Sequence, residues 1–228
     1  AVMRKIFLVS CGLLVLLGTF ACALLKPAPP PLAQLELSGS KDFIGEPFEI
    51  NTKEWQINWE YKAEEKKVPN FVLHVYPEGD KVNWIEMVKT PRFDAKGSTY
   101  LYKGNGKYYI KVTARNIANW RVEAVRRGVS EPLKTPATFA GSADMTTMPF
   151  RIEKKEFKVI YTMEPVTALM YEGAGQNIAV YPRGETENYI ETAMVGAGTG
   201  TMSLKGKGEY YIRVQCSQVK SWKIDVTE

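Results

Sequence analysis

The stretch GNGKYYIKVTARNIANW, residues 104–120, has a near copy later in the chain, GKGEYYIRVQCSQVKSW, residues 206–222. Both copies contain a Gly-x-Gly, a Tyr-Tyr pair and a distant Trp, at a constant offset of 102 residues. From the Tyr pair onward, apolar and polar residues alternate with a period of two, which predicts a half-buried β-strand. Because a strand follows the Gly-x-Gly and not a helix, we expect a hairpin turn with positive φ at glycine, not a phosphate-binding loop.

The same offset relates much longer stretches of the chain. GSKDFIGEPFEINTKEWQINWEY begins at Gly39, and GSADMTTMPFRIEKKEFKVIYTM begins at Gly141, without a gap between the two patterns. In the middle of each copy, VYPEG (75–79) matches VYPRG (180–184) at an offset of 105. Length changes confined to two places, with the register kept elsewhere, are typical of loops between strands. The chain therefore contains two copies of one module.

Each module consists of short strands at a spacing of eight to twelve residues, with turn residues between them and no helical stripe. This pattern predicts an all-β fold: two tandem antiparallel β-sandwich domains, jelly-roll or Ig-like, after an N-terminal hydrophobic helix. In the first copy, the predicted strands are 46–51, 54–62, 71–76, 82–89, 98–103, 107–114 and 119–125, with a further one at 35–38.

The predicted domain boundaries follow from the repeat and from the composition of the segments around it. Four prolines within residues 27–31 favour an extended, semi-rigid spacer. The predicted segments are 1–25 (signal peptide or membrane anchor), 26–34 (proline-rich linker), 35–125 (first β-sandwich), 126–136 (linker) and 137–228 (second β-sandwich).

One pattern runs through the whole module: W-x-I-x-W, then V-Y-P-x-G, then G-x-G-x-Y-Y-x-x-V, then a Trp in the last strand. It resembles the β-sandwich modules appended to bacterial surface lipoproteins and secreted proteins. The resemblance implies a β-sandwich fold and an extracytoplasmic location more than any particular activity.

An apolar segment near the N-terminus predicts export from the cytoplasm. Residues 6–25 carry no charge and follow Arg4 and Lys5. Twenty helical residues at about 1.5 Å each span a hydrocarbon core of about 30 Å, and the basic flank keeps the N-terminus inside. Three interpretations are open: a signal cleaved near 21–23, a lipoprotein lipidated at Cys22, and an uncleaved membrane anchor.

The composition of the remaining chain argues against several classes of protein. The net charge is +5, but without Arg4, Lys5 and Lys26 only 27 basic residues face 25 acidic ones, which argues against nucleic-acid binding. The body contains a single cysteine, Cys216, and a single histidine, His74, so neither an internal disulfide nor a zinc cluster is expected. We expect no cofactor or metal, and a buried Cys216 that replaces Ala of the first copy.

Acidic residues recur at matching positions of the two modules. Each module supplies them singly, on separate strands and without a D-x-D-x-D loop, so neither a glycosidase pair nor a calcium site is expected. We predict solvated strand faces for them, and no catalytic residue is assigned. The matching acids are Asp42 and Asp144, Glu54 and Glu156, and Glu86 and Glu191.

Aromatic residues on the outward phase of the strands are the candidate binding residues. Such rings stack on sugars or dock a partner protein, but they also pack across strands or bury the interface between the modules. The six candidates are Tyr76, Trp84 and Tyr109 in the first module and Tyr181, Tyr189 and Tyr211 in the second.

The sequence favours a membrane-tethered, extracytoplasmic and non-catalytic binding or scaffold protein with a protein partner, which includes an accessory subunit of a membrane or cell-surface complex. The alternative is a carbohydrate-binding surface protein that uses the outward aromatic rings. A hydrolase is the least favoured class, because His74 is the only histidine and its counterpart in the second copy is Ala179.

Overall fold

Every secondary-structure element in the described part of the computed structural model is a β-strand. The described residues are 33–90, 93–127, 130–166 and 175–228. The predicted hydrophobic segment 6–25 and the candidate lipidation residue Cys22 lie outside them. Within the described ranges, no helix is long and apolar enough to cross a membrane.

The first repeat forms two antiparallel sheets. Their strand orders are β1-β9-β4-β7 and β2-β8-β5-β6, and β3 also pairs with β8. The strands are β1 (Ala33–Gly39), β2 (Phe43–Ile44), β3 (Phe48–Ile50), β4 (Glu54–Ala63), β5 (Asn70–Pro77), β6 (Glu86–Lys89), β7 (Ala95–Leu101), β8 (Gly106–Arg115) and β9 (Ile117–Arg127). The alternating apolar residues of both sheets, among them Trp55, Ile57, Leu73, Val75 and Ile110, are fully buried in one core.

The second repeat has the same topology. Its sheets run β11-β19-β14-β17 and β10-β13-β18-β15-β16, and β12 also pairs with β18. The strands are β10 (Leu133–Lys134), β11 (Ala137–Gly141), β12 (Met145–Thr146), β13 (Phe150–Ile152), β14 (Glu156–Pro165), β15 (Gly175–Pro182), β16 (Glu191–Val195), β17 (Gly198–Lys205), β18 (Gly208–Ser217) and β19 (Val219–Thr227). The short β10, which pairs with β13 in parallel, has no counterpart among the described residues of the first repeat.

The prediction of an all-β fold with several antiparallel sheets is therefore confirmed. The described residues belong to one compact unit, so the division into separate domains at 35–125 and 137–228 stays a prediction. The predicted strand 82–89 is too long, since residues 82–85 form a loop and β6 begins at Glu86. The Asp80 carboxylate accepts the backbone N–H groups of Val82 and Asn83, which holds the chain in a turn there.

The Gly-x-Gly turns differ from the expectation in the first copy. There Asn105, and no glycine of the turn, has the positive φ of 52°. In the second copy the two glycines carry it, at 135° for Gly206 and 144° for Gly208. Asparagine tolerates the left-handed region better than most residues, which explains why both sequences form the turn.

A glycine on an edge strand faces the distant Trp of each repeat. A Cβ at Gly39 would lie 2.8 Å from Trp120, and one at Gly141 would lie 2.7 Å from Trp222. The two indole Nε1–H groups donate to the carbonyl oxygens of Lys41 and Ala143, both at 3.0 Å. Each Trp thus fastens the loop after the first strand of its repeat, and the glycine gives the ring room.

We expect Gly141→Ala to destabilise the fold, because the added methyl group meets the buried ring of Trp222. Overpacking of this kind costs about 1–3 kcal/mol in the free energy of unfolding, measured by urea titration. The control is Gly196→Ala, since a Cβ there has no atom within 4 Å, and it should stay within about 0.5 kcal/mol of the parent. Equal stability of the two variants would contradict this account of the glycine.

Candidate binding sites at the contact between the repeats

The outward Tyr pair of each repeat holds the loop after V-Y-P-x-G. In the first repeat, Tyr109 Oη donates to the carbonyl of Asp80 at 2.7 Å, and Tyr76 stacks on Tyr109 with ring centroids 5.2 Å apart. The same stack forms between Tyr181 and Tyr211, at 5.1 Å. A structural contact therefore accounts for the recurrence of these four residues.

The six candidate aromatic residues differ strongly in exposure. Tyr211 is only 1% exposed, because Tyr102 of the first repeat stacks on it with centroids 4.0 Å apart. Tyr76 and Tyr181 are also buried. Trp84 is 38% exposed and Tyr189 54%, and both lie in the loop before the edge strand β6 or β16.

The two repeats are joined by a buried ion pair. Arg183 donates to both carboxylate oxygens of Glu54, at 2.7 and 2.8 Å, and its Nη1 also donates to Glu209 at 2.7 Å. Arg183 Nη2 also donates to the carbonyl oxygen of Ser130. Glu54 is 8% exposed, and its bond to Arg183 raises the pKa of the guanidinium. Bidentate pairs of this geometry are the strongest kind of charge-assisted hydrogen bond.

A second buried carboxylate lies at the edge of the first repeat where both of its sheets end. Glu86 accepts hydrogen bonds from the hydroxyls of Thr99 and Thr146, both at 3.2 Å, and from Arg213 Nη2 at 3.3 Å. Glu86 is 3% exposed, and burial raises its pKa to about 7 although Arg213 opposes the shift. Two of these three partners, Thr146 and Arg213, come from the second repeat, which covers the edge formed by β6 and β7.

The prediction of solvated positions is wrong for three of the six recurring acids. Glu54, Glu86 and Asp144 are buried, whereas the residues at the equivalent positions of the other repeat, Glu156, Glu191 and Asp42, are exposed. The physical reason is that the second repeat covers one edge of the first, while no described residue covers the corresponding edge of the second. A strand pattern reports which face of a sheet a residue lies on but not what lies against that face.

Asp144 joins the two repeats through backbone hydrogen bonds. Its carboxylate accepts the N–H of Cys216 at 2.7 Å and the N–H of Lys89 at 3.0 Å, and burial raises its pKa to about 6. Cys216, which the sequence predicts to be buried, is partly buried. Burial raises the pKa of the Cys216 thiol, so it stays protonated and is a poor nucleophile.

The contact between the repeats contains a small polar cleft of about 160 Å³. Residues of both repeats line it, so neither repeat forms it alone. Sequence reasoning identified Trp84 and Tyr211 but missed the others, because no local pattern places Arg213 beside Glu86. The side chains that matter for ligand chemistry are Trp84, Glu86, Thr146, Glu187, Tyr211 and Arg213.

The described residues contain no group of three or more His, Cys, Asp and Glu side chains that could hold a metal ion. His74 packs against Tyr76, and its Nδ1 is buried with no hydrogen-bond partner in these parts of the chain. Burial, Lys111 and Lys89 lower its pKa, so the imidazole is neutral near pH 7. The absence of catalytic, metal and cofactor sites stays an expectation.

No family model matches the sequence, and no curated protein matches it. Among solved structures, the chain is similar to the M60 catalytic domain with the CBM51-1 and CBM51-2 domains of Clostridium perfringens ZmpB, with a TM-score of 0.26 and 6% identity. That match covers 84% of this chain and 34% of the other, so this chain spans about a third of that protein. A second match is the N-terminal CBM22-1-CBM22-2 tandem domain of Paenibacillus barcinonensis Xyn10C, with a TM-score of 0.24, 7% identity and 86% of both chains covered. At these scores neither similarity identifies a function.

We expect Arg183→Met to lower the free energy of unfolding by about 3–5 kcal/mol, because Glu54 is left buried without a charged partner. The control is Lys220→Met, which breaks the exposed pair with Glu164 and should cost no more than about 1 kcal/mol. Urea titration of both variants measures the difference. Similar small losses would show that Glu54 gains water or another partner when Arg183 is removed.

The stability of the chain should depend on pH through Glu86. Between about pH 4.5 and about pH 7 the folded chain retains a proton on Glu86 that the unfolded chain has released, so this group makes the free energy of unfolding fall as the pH rises. Asp144, with its raised pKa, acts in the same direction. His74, whose pKa is lowered, contributes in the opposite direction.

The variant Glu86→Gln removes the Glu86 contribution and leaves those of Asp144 and His74 in place. Urea titrations at a series of pH values should therefore give a shallower fall for the variant than for the parent. Identical pH profiles would show that Glu86 is ionised throughout this range.

Proposed function

We propose that the chain is an extracytoplasmic, non-catalytic carbohydrate-binding protein made of two tandem β-sandwich modules. The observation that carries the proposal is the exposed ring of Trp84 at the cleft between the repeats. The apolar face of a sugar ring stacks on an indole, while its hydroxyl groups need polar partners at the edge of that stack. The cleft supplies both kinds of contact.

The loop that carries Trp84 is held in place without a ligand. The Asp80 carboxylate accepts three hydrogen bonds, from the N–H groups of Val82 (2.8 Å) and Asn83 (2.9 Å) and from Asn83 Nδ2 (3.0 Å). These bonds lower the pKa of Asp80, so the carboxylate stays ionised. The N–H of Ile85 donates to the carbonyl of Val75 at 2.8 Å. A loop held in this way loses little conformational entropy when a ligand binds.

The corresponding loop of the second repeat keeps the bond from the N–H of Ile190 to the carbonyl of Val180, at 2.8 Å, but has no described counterpart of the two backbone N–H bonds to the Asp80 carboxylate. Glu185 stands where the first repeat has Asp80, and its side chain accepts one bond, from Asn188 Nδ2 at 3.3 Å. Tyr189 at the tip is exposed but is not among the residues that line the cleft. Tyr189 therefore provides a matched control for Trp84: an exposed ring at the same position of the module, away from the polar cleft.

The volume of the cleft sets the size of the ligand part that it takes. About 160 Å³ lies below the range of about 300–1,000 Å³ typical of whole small-molecule sites. We therefore assign it the polar edge of one sugar residue, while the Trp84 face carries the ring. In this proposal, Arg213 and Glu187 of the second repeat supply the hydrogen-bond donor and acceptor for the sugar hydroxyls.

Attachment to a membrane is a separate part of the proposal. It depends on the apolar residues 6–25 and on Cys22, which lie outside the described residues. A tethered scaffold that holds a protein partner is the second candidate and uses the same segment. Mass analysis of the mature N-terminus from a native membrane fraction distinguishes a cleaved signal, a lipidated Cys22 and an uncleaved anchor.

We expect Trp84→Ala to weaken glycan binding at least about tenfold, which corresponds to about 1.4 kcal/mol and is the size of a stacking contact. Tyr189→Ala should keep the affinity within about threefold. Titrations followed by tryptophan fluorescence, with neutral xylo-, cello-, manno-, malto- and chito-oligosaccharides as probes, measure both variants. No response of the parent to the whole panel, or equal losses in both variants, would overturn the proposal.

A further inference from the structure

A second groove, of about 550 Å³, lies where the outer face of the β1-β9-β4-β7 sheet meets the segment Ala140–Met145 of the second repeat. Its volume falls within the range of about 300–1,000 Å³ typical of small-molecule sites. None of the six aromatic candidates from the sequence lines this groove. Its chemistry therefore has to be derived from the tertiary structure alone.

The floor of the groove is a platform of six polar residues in two rows. Asn58 on β4 lies opposite Ser98 on β7 and Glu123 on β9, and Glu60 lies opposite Lys96 and Arg121 in the same way. Residues directly opposite each other on neighbouring strands share a face and lie about 4.5–5.5 Å apart. The polar platform therefore presents donors and acceptors at short intervals, with Arg121 paired to Glu123 and to Glu36. Its members are Asn58, Glu60, Lys96, Ser98, Arg121 and Glu123.

The wall of the groove is held rigidly against this platform. Asp144 N–H donates to the carbonyl of Lys89, and Asp144 Oδ2 accepts the N–H of Lys89, both at 3.0 Å. Ala143 packs into the core of the first repeat, and its carbonyl oxygen accepts the Trp222 indole N–H at 3.0 Å. The groove is thus formed before any ligand arrives, which favours binding.

Trp59, whose ring packs in the core of the first repeat, carries a donor that no described residue accepts. It lines the groove and is 4% exposed, and its Nε1 has no hydrogen-bond partner within the described ranges. The Nε1 groups of Trp55, Trp120 and Trp222 each donate to a backbone carbonyl at 3.0 Å. Like two of those rings, Trp59 lies against a glycine, since a Cβ at Gly97 would lie 2.6 Å from it. A buried donor without an acceptor costs about 1–3 kcal/mol, so a ligand that supplies the acceptor removes this cost and binds more tightly.

We infer that this groove binds a segment of a neutral oligosaccharide, with one ligand oxygen accepting the Trp59 Nε1–H and the polar platform binding other hydroxyls. A hydroxyl-rich ligand matches side chains that alternate as donors and acceptors. Charges of both signs face the groove, Lys96 and Arg121 against Glu60 and Glu123, which favours a neutral ligand over an anionic one.

The inference rests on the proposed function for its ligand class, but the groove and the Trp84 cleft consist of different residues. Each site can therefore be tested independently of the other. The chain contains five tryptophans, and labelling with ¹⁵N-tryptophan gives one indole N–H signal for each. Trp59→Phe and Trp84→Phe assign the two signals that matter. The same neutral oligosaccharide panel is then titrated into the labelled full chain, followed by ¹H–¹⁵N correlation spectra.

We expect the Trp59 indole signal to shift in a saturable way. A shift of Trp84 alone would overturn binding in the groove and support the proposed function. A shift of Trp59 alone would support binding in the groove and overturn binding at the Trp84 cleft. No shift of either signal would overturn both. A Trp59 shift caused by short neutral peptides and by no sugar would overturn the ligand class.

Variants at exposed residues test the groove without disturbing the core. Lys96→Met and Glu60→Gln each remove a charged hydrogen-bonding group of the polar platform and should weaken the binding that the Trp59 signal reports by about tenfold. The matched control is Lys223→Met, on the corresponding sheet of the second repeat and away from the groove. Unchanged affinity in both platform variants would overturn the inference.

Discussion

The covering of one sandwich edge by the neighbouring repeat is the constraint on which the rest of the molecule depends. A β-sandwich leaves open edges, and β6 and β7 form such an edge in the first repeat. The outer face of the second repeat covers it with Arg213, Thr146 and Tyr211, which meet Glu86 and Tyr102. Burying a carboxylate there is tolerable only because these groups satisfy it with hydrogen bonds.

The same contact is not repeated at the other end of the molecule, although the two halves have the same topology. The counterpart of Arg183 is Glu78, and it pairs with Lys107 at 3.8 Å on the surface of its own repeat. The counterpart of Glu86 is the exposed Glu191. An interface between unlike surfaces of two similar units propagates into a fibre if both units keep both surfaces. Glu78 carries the opposite charge to its counterpart Arg183, so the first repeat lacks the surface with which the second repeat binds Glu54.

Both candidate sites follow from this contact. The Trp84 cleft and the Trp59 groove are lined by residues of both repeats, and neither is complete in one repeat. The recurring tyrosines Tyr109 and Tyr211, in contrast, hold a loop and need no ligand to explain them. Repetition in the sequence thus marks structural positions, whereas the binding chemistry lies at positions that differ between the copies.

The sequence by itself determined the all-β fold, the repeat and the approximate strands, because alternation with a period of two and an internal offset are local, one-dimensional patterns. Glu54 and Glu156 are equivalent in such a pattern. Only the tertiary structure decided that Glu54 is buried against Arg183, 129 positions away, while Glu156 is exposed. It also decided which buried indole, that of Trp59, has no acceptor among the described residues. Burial depends on which surfaces meet, and no local pattern contains that information.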